Sequence, residues 1–443
     1  MTWRNLRRNL RRSLLMGATI ASGYIGLLLM FAYIDRVDQY LMVNAVYVNH
    51  SGHVRVYKSG GLENFFQKPR KYVLNPEDVK TLEQILPSEI TKLEKVSPYI
   101  EGMGLASNSC QYQPFRLKGI PSETDRWMRT HPMVQEWTPE LLILKTGESF
   151  SAGSSADSIL MAAGLARLLG KPLVRGDVAE QVFPLITDCA SAQTKALIQK
   201  NPEVQLLAQP FDGGMNAEET SISGQYTTGL ALTENSGLQV PYEVAQSLYQ
   251  TSGATYMGIF LQSAADASGV SKRLNSFFSE KRLPYEASPY SDEKVSLFYA
   301  GTMNFLYAMS GFFFLLITMV IVISIANSVG MNIYDRIREL GTMRALGFSP
   351  AQIAGLMGRE TMVLTVLGAL AGLLLSYGIA FAVNAANIRF HPPGIAGDMQ
   401  FVLIVMPLRA LQLFVPILIV SFLTSALVTR SKMKQKIAEL LTE

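Results

Sequence analysis

Two cysteines, four histidines and three tryptophans in 443 residues leave little material for several kinds of chemistry. Cys110 and Cys189 are too few for a disulfide-stapled scaffold, and a zinc site needs a local Cys/His cluster that the chain lacks. His50 and His53 flank Ser51-Gly52, which reads as a turn, while His131 and His391 stand apart. A phosphate loop is missing as well. Its nearest approach, GLARLLGKP from Gly164 to Pro172, has five residues between the glycines and a proline where the magnesium-binding hydroxyl belongs, so it reads as a helix ended by Gly170. Ser151, Ser154 and Ser155 belong to no G-x-S-x-G elbow. The sequence carries no motif for nucleotide hydrolysis, metal catalysis or the commonest serine chemistry, a search that does not reach a site assembled from distant residues, and no cofactor or metal is expected on this chain.

Charge is missing too, in four places. Leu14 to Ile34, Phe305 to Ala326, Met362 to Val383 and Leu411 to Val428 are apolar runs without an ionisable side chain, each of a length that crosses a bilayer. The stretch from Asp35 to Met303 reads as a water-soluble domain. Apolar residues make up 49% of the chain, which fits a membrane part and a soluble part segregated along the sequence. The first run would also suit a cleaved signal peptide, but it is longer than the usual apolar core and ends in Phe31-Ala32-Tyr33-Ile34 without an A-x-A pattern, which favours a retained anchor.

Basic residues set the orientation. Arg4, Arg7, Arg8, Arg11 and Arg12 precede the first run; Arg336, Arg338, Arg344 and Arg359 lie between the second and third; Arg430, Lys432, Lys434 and Lys436 follow the fourth. These segments are expected in the cytoplasm. The net charge of +4 comes from that rim, because the large domain holds 24 basic and 29 acidic residues. No nucleic-acid partner is read from it.

The expected fold class is a membrane protein of four transmembrane helices with a large α+β periplasmic domain inserted between the first two. The expected segments are an elbow helix on the membrane surface (1–13), the first span (14–34), the periplasmic domain (35–291), a stalk and second span (292–326), and a cytoplasmic helix and corner (327–361). The third span (362–383), a short outer loop (384–410), the fourth span (411–428) and a cytoplasmic tail (429–443) follow. Trp3, Leu6, Leu10 and Leu14 share one face of the elbow. In the domain, His53 to Gly61, Glu140 to Gly147 and Ser221 to Leu232 read as strands, and Asn75 to Leu86, Ala156 to Leu169 and Tyr242 to Tyr249 as helices. From Asp292 a helical pattern runs unbroken into the second span.

Small residues repeat every four positions in two spans, Gly17 and Ala21 in the first and Gly368, Gly372 and Ser376 in the third, a spacing that allows close backbone approach. General enrichment of glycine in spans is the plainer explanation. Cys110 and Cys189 both fall in the exported domain. A disulfide between them would close a long loop and stabilise by about 4 kcal/mol; two unrelated buried thiols is the other reading.

The connection NIYDRIRELGTMRALGFSPAQI, Asn332 to Ile353, carries the clearest signal. Ile333, Ile337, Leu340, Met343 and Leu346 draw one apolar stripe. Asp335, Arg336, Arg338, Glu339 and Arg344 lie beside it, and burying five charges at mid-bilayer would cost on the order of 15 kcal/mol. The segment therefore stays out of the hydrocarbon. Gly347 is expected to stop the helix, and Ser349-Pro350 with Gln352 to cap the next one.

These residues resemble a known family. Asn332, Arg336, Glu339-Leu340-Gly341, Arg344-Ala345-Leu346-Gly347, Gln352-Ile353 and Glu360 are similar to the cytoplasmic signature of MacB/FtsX-type permeases, the type VII ABC transporters. GHVRVYKSG after the first span, Ile159 to Gly170, and Gly224, Tyr226, Thr228, Gly229, Glu234, Ala245 and Gln246 resemble the lipoprotein-releasing LolC/LolE branch. Departures are Glu234 where aspartate is common, a tail without the usual proline-led motif, and no match over Tyr72 to Asn201.

The resemblance implies a non-catalytic permease subunit that pairs with a second permease, as homodimer or heterodimer, and with a dimer of separate ATPase subunits that bind ATP and magnesium. It places the chain in the bacterial inner membrane with both termini cytoplasmic. Ile333, Arg336, Ile337, Arg338, Glu339, Leu340, Arg344, Leu346 and Gly347 would couple it to the ATPase, the arginines by charge and the stripe by seating in a groove of that partner. Cargo would be lipoprotein, lipid or another amphiphile, handed on to a periplasmic carrier or adaptor through mechanotransmission. The alternative is an FtsX-like signalling subunit that activates a periplasmic cell-wall hydrolase; a membrane-anchored enzyme is a third, weaker reading.

Overall fold

The computed structural model describes residues 10–141, 144, 146–150, 157–171, 198–199 and 202–433. The expected elbow before residue 10 and Cys189 lie outside them, as does most of the C-terminal tail. The chain divides into two compact units, one of residues 1–38, 303–388 and 400–443, the other of residues 39–302 and 389–399.

Four helices in the described residues are long and apolar enough to cross a membrane: Leu10–Val43, Leu297–Asp335, Pro350–Ala385 and Pro407–Lys432. Each contains one of the four uncharged runs. The second begins at Leu297, later than the unbroken pattern from Asp292 suggested, because Asp292 closes a turn by accepting from the Lys294 and Ser296 amides. Within the first unit the helices share a core of Ile20, Tyr24, Leu27, Leu28, Ile321, Ile325, Met357, Ala369, Leu413 and Ile417. Hydrocarbon drives no helix together by burial, so close fit and internal hydrogen bonds carry the packing.

Such bonds join the third and fourth helices. Thr361 Oγ1 and Ser425 Oγ lie 2.8 Å apart, and Thr365, Ser421 and Thr429 are buried with hydroxyls turned onto carbonyls of their own helices. Phe422 lies flat against Gly358, where a Cβ would come within 2.6 Å of the ring. At another level of this unit, Arg409 of the fourth helix pairs with the buried Asp35 of the first at 2.9 Å.

The second unit is built on a sheet of ten strands: β1 (Val54–Lys58), β2 (Leu93–Ser107), β3 (Tyr112–Ile120), β4 (Thr146–Gly147), β5 (Ser158–Ala162), β6 (Glu203–Ala208), β7 (Asn216–Tyr226), β8 (Gly237–Pro241), β9 (Tyr256–Leu261) and β10 (Tyr285–Pro289). The order is β10-β1-β9-β2-β3-β8-β5-β7-β4, with β6 pairing β2 and β7. β2 is 15 residues long. Leu93 to Tyr99 pair with β9, and Ile100 to Ser107 pair with β3 on one side, with Gly104 to Ser107 also meeting β6. One strand thus belongs to both halves of the sheet.

Among the described residues, six helices of six residues or more accompany the sheet: α1 (Pro76–Glu89), α2 (Ser122–Thr130), α3 (Pro132–Leu141), α4 (Ala163–Leu168), α5 (Tyr242–Tyr249) and α6 (Ala267–Glu280). Asn75 caps α1, in a capping box with Asp78. α5 closes the core of one half through Ala245, Leu248 and Tyr249, and it lies so near β2 and β3 that a Cβ on Gly102 or Gly119 would strike Tyr249 or Ala245.

Three expectations for this domain change. Ala156 to Leu169 is not one helix: Ser158–Ala162 is a fully buried strand and only Ala163–Leu168 is helical. A continuous apolar run suits an interior strand as well as a helix, and periodicity does not separate the two. Among the described residues of Glu140 to Gly147, the first two end a helix and Thr146–Gly147 form β4. Ser221 to Leu232 leaves the strand at Tyr226 and enters a helical turn at Ala231.

A buried ionic group crosses the middle of the sheet. Glu101 accepts from Lys118 at 2.8 Å and from Arg55 at 3.3 Å, and Arg55 also lies over the Tyr256 ring. Burial pushes the Glu101 carboxyl up, but Lys118 and Arg55 outweigh it and hold the carboxyl at about 2. Its folded value is therefore depressed, so its stabilisation is present above the ordinary carboxylate range and is lost as pH falls toward 2. Glu101→Gln strands two buried cations and is expected to cost about 3 kcal/mol. Denaturation of the full-length variant in nanodiscs, followed by hydrogen exchange in β2 and β9, is the measurement; it should also show a smaller loss of stability between pH 4.5 and 2 than the wild type.

Candidate coupling site

The second helix runs to Asp335, and the backbone then breaks at Arg336, with φ −118° and ψ 17°. A short connecting helix, Ile337–Ala345, follows, and Gly347 at φ +93° turns the chain, a conformation that side chains with a Cβ rarely adopt. Ser349 then caps the third helix: its hydroxyl accepts from the Gln352 amide while the Gln352 side chain accepts from the Ser349 amide at 2.8 Å.

Arg336 is buried, at 5% side-chain exposure. Its Nε and Nη2 donate to the two carboxylate oxygens of Glu339 at 2.9 and 3.0 Å, and Nη1 donates to Glu360 Oε2 at 3.2 Å. The Glu339 hydrogen bonds raise the affinity of Arg336 for its proton, burial opposes them, and Glu360 adds to them. Arg336 therefore ties the connecting helix to the third helix. Its donors are taken inside the chain, with Glu339 pairing back to it.

The apolar stripe also turns inward. Ile333 and Leu340 are 1% and 0% exposed in the membrane core, with Ile337 and Met343 packed against it. The stripe thus does not offer a partner its length, as expected; it seats the connecting helix on its own bundle. What remains exposed is a smaller corner of Arg338, Glu339, Leu346 at 75%, Gly347 and Phe348 at 47%. Arg344 lies at its edge, half-buried, with Nε lacking a hydrogen-bond partner among the described residues. Lys432 from the fourth helix reaches the Tyr334 hydroxyl at 2.9 Å. Phe348 and Glu360 were not singled out for these roles in the sequence. The Phe348 role was open to inference from an aromatic residue in a charged corner, whereas Glu360 lies 24 positions from Arg336 with no local signal.

The small residues of the first and third helices lie together. A Cβ on Gly368 would stand 2.9 Å from the Gly17 carbonyl oxygen, and one on Gly372 would stand 3.0 Å from that of Ala21. Ser376 is fully buried and donates to the Gly372 carbonyl at 2.8 Å. The expected pairing of Cys110 with Cys189 falls on a residue outside the described ones. Among the described residues no group of three or more His, Cys, Asp or Glu side chains has metal-binding geometry.

The fold and this corner define a four-helix membrane protein with a large α/β domain between its first two spans. Residues 311–437, a stretch that holds the connecting helix and the last two spans, match the family described as FtsX-like permease C-terminal. The chain is 33% identical over 82 residues to the ABC transporter permease YtrF of Bacillus subtilis (strain 168), a match covering 18% of this chain and 19% of that relative. Two solved structures are loosely similar. The extracellular domain of the noncanonic ABC-type transporter YknZ from Gram-positive bacteria has a TM-score of 0.30 at 13% identity, over 53% of this chain and 98% of that one. The periplasmic region of MacB from Actinobacillus actinomycetemcomitans has a TM-score of 0.30 at 14% identity, over 54% and 88%.

Two outcomes are expected. Arg336→Gln leaves Glu360 without its cation and should lower stability by about 2 kcal/mol, less than a fully buried pair because Glu339 is half in solvent; adding Glu360→Gln should recover part of it in thermal unfolding. Gly372→Leu forces the first and third helices apart. It should lower the unfolding temperature of the membrane part by several degrees and allow faster exchange of the Tyr24 amide.

Proposed function

We propose that this chain is the permease subunit of an ABC transporter of the FtsX/MacB type. It works in the bacterial inner membrane with the large domain periplasmic and both termini cytoplasmic. A dimer of separate ATPase chains binds ATP and magnesium and grips the exposed corner, and the permease itself, paired with a second permease subunit, hydrolyses nothing. The observation that carries this reading is that corner: two exposed apolar side chains, Leu346 and Phe348, beside Arg338 and the incompletely satisfied Arg344, on a connection otherwise locked to the third helix by Arg336. A helix braced against its own bundle transmits a push, whereas a loose loop absorbs it.

ATP-driven closure of the partner would tilt the third helix through the Arg336–Glu360 contact and the first helix through its contact at Gly368 and Gly372. The inserted domains then rearrange to extract or export cargo. Lipoprotein, lipid or amphiphilic cargo fits best. Supporting it is an apolar cavity of about 320 Å³ among Tyr24, Leu370, Leu373, Tyr377, Leu411 and Phe414, of a chemistry that takes a hydrocarbon chain.

Purification of the full chain with its native partners, followed by mass spectrometry, tests this. An ABC ATPase should copurify with the wild type, and Arg344→Glu or Leu346→Asp should reduce its recovery at least about tenfold, a loss of one well-buried contact. Undiminished recovery with both variants overturns the contact, and a peptidoglycan hydrolase in place of lipid or lipoprotein overturns the transport reading in favour of signalling.

A further inference from the structure

The segment Thr228–Glu234 has no part in the coupling corner, yet it is tied by several hydrogen bonds within the inserted domain. Glu234 Oε2 accepts from both the Thr228 amide at 2.8 Å and the Thr228 hydroxyl at 2.9 Å, and the Thr233 hydroxyl closes the turn at 3.0 Å from that hydroxyl. The turn is thus held in shape from within. Gly164 of α4 lies beneath it, so close that a Cβ would come 2.5 Å from the Glu234 carbonyl oxygen.

Three further segments of the same unit converge on this turn. Asn44, 1% exposed, in the π-helical continuation of the first membrane helix, donates to the Thr228 carbonyl at 2.9 Å, and Tyr40 points its hydroxyl at the Gly229 carbonyl. The loop between the third and fourth helices adds two backbone bonds. The Ala231 amide donates to the Gly394 carbonyl at 3.0 Å and the Ala396 amide to the Gly229 carbonyl at 3.2 Å, with Leu230 opposite a buried Ile395 in an antiparallel bridge. Phe298, in the first turn of the second helix, fills the space beside Gly394, which at φ +80° has no room for a Cβ. Each of these segments continues in sequence into a membrane-spanning helix.

We infer that the Thr228–Glu234 turn is the mechanical input of the inserted domain, a place where displacements of the membrane helices are gathered before they reach the sheet. The inference rests on the coupling reading above and adds to it a site and a route. Two chain segments, the continuation of the first helix and the 389–399 loop, are fixed to this turn by hydrogen bonds and a bridge, with Phe298 of the second helix packed against the loop, so they move it together, and β7 and β8, which flank the turn in sequence, carry its movement into the sheet. The 389–399 loop stays engaged throughout the cycle as a strap, so that the last two spans act on the domain without a stalk of their own.

The test uses the full chain in nanodiscs with its copurified ATPase. Hydrogen exchange is read with and without ATP in peptides of β2, β3 and β9 and at the Ala231 and Ala396 amides. Ile395→Asp places a charge in the buried bridge and should expose those two amides, reduce the ATP-dependent change in the sheet peptides to about a tenth, and leave ATP turnover within about twofold of wild type. Ile395→Val should restore the response. A Leu230→Cys/Ile395→Cys pair, opposite each other across the bridge, should cross-link and keep the full response. If the response survives in Ile395→Asp after its amides have become exposed, or vanishes in the cross-linked pair, the input role is overturned while the coupling reading stands. A wild-type sheet that does not respond to ATP overturns both. Should Ile395→Asp fail to fold, the cross-linked pair decides.

Discussion

Hydrocarbon offers no hydrogen bonds, and nearly every polar choice in the membrane part follows from that. The four apolar runs carry no charge, the hydroxyls inside them turn onto carbonyls of their own helices or onto each other, and the ionised groups lie at the helix ends in pairs. Arg336 is the consequential case. At the end of a long apolar helix a buried guanidinium has to find carboxylates, and it finds one in the next turn and one ten residues past Pro350 in the third helix. That satisfaction turns a surface loop into a brace.

The brace and the small-residue contact divide the work in the first unit. Gly368 and Gly372 let the third helix touch the backbone of the first, and Arg336 ties the connecting helix to the third. The corner at Leu346 and Phe348 stays exposed on this braced connection. In the second unit the same logic recurs with different chemistry: backbone bonds and the Glu234 carboxylate, which accepts from the Thr228 amide and hydroxyl, hold a turn on which several segments converge.

Much of this was legible in the sequence where a local pattern has one physical solution. Uncharged runs of bilayer length become membrane helices, and Ser349-Pro350 with Gln352 becomes a capped helix start. Legibility fails where a pattern says that a residue avoids water but not what it packs against. The stripe of Ile333, Ile337 and Leu340 is amphipathic either way, and only the fold shows it seated on its own bundle. Ser158–Ala162 is apolar on both faces, so strand and helix looked alike. The Arg336–Glu360 pair and the bridge between Leu230 and Ile395 join positions far apart in sequence, and no window of neighbouring residues contains them.

The length of β2 sets a limit on how the inserted domain can deform. Its first residues are stitched to β9 and its last to β3 and β6, without a break in the chain between them. Two lobes that share an extended strand do not hinge like halves of a book, because folding along that line would tear the ladder on both sides. The soft motion left to them is torsion about the strand axis, with β2 as a twisting rod.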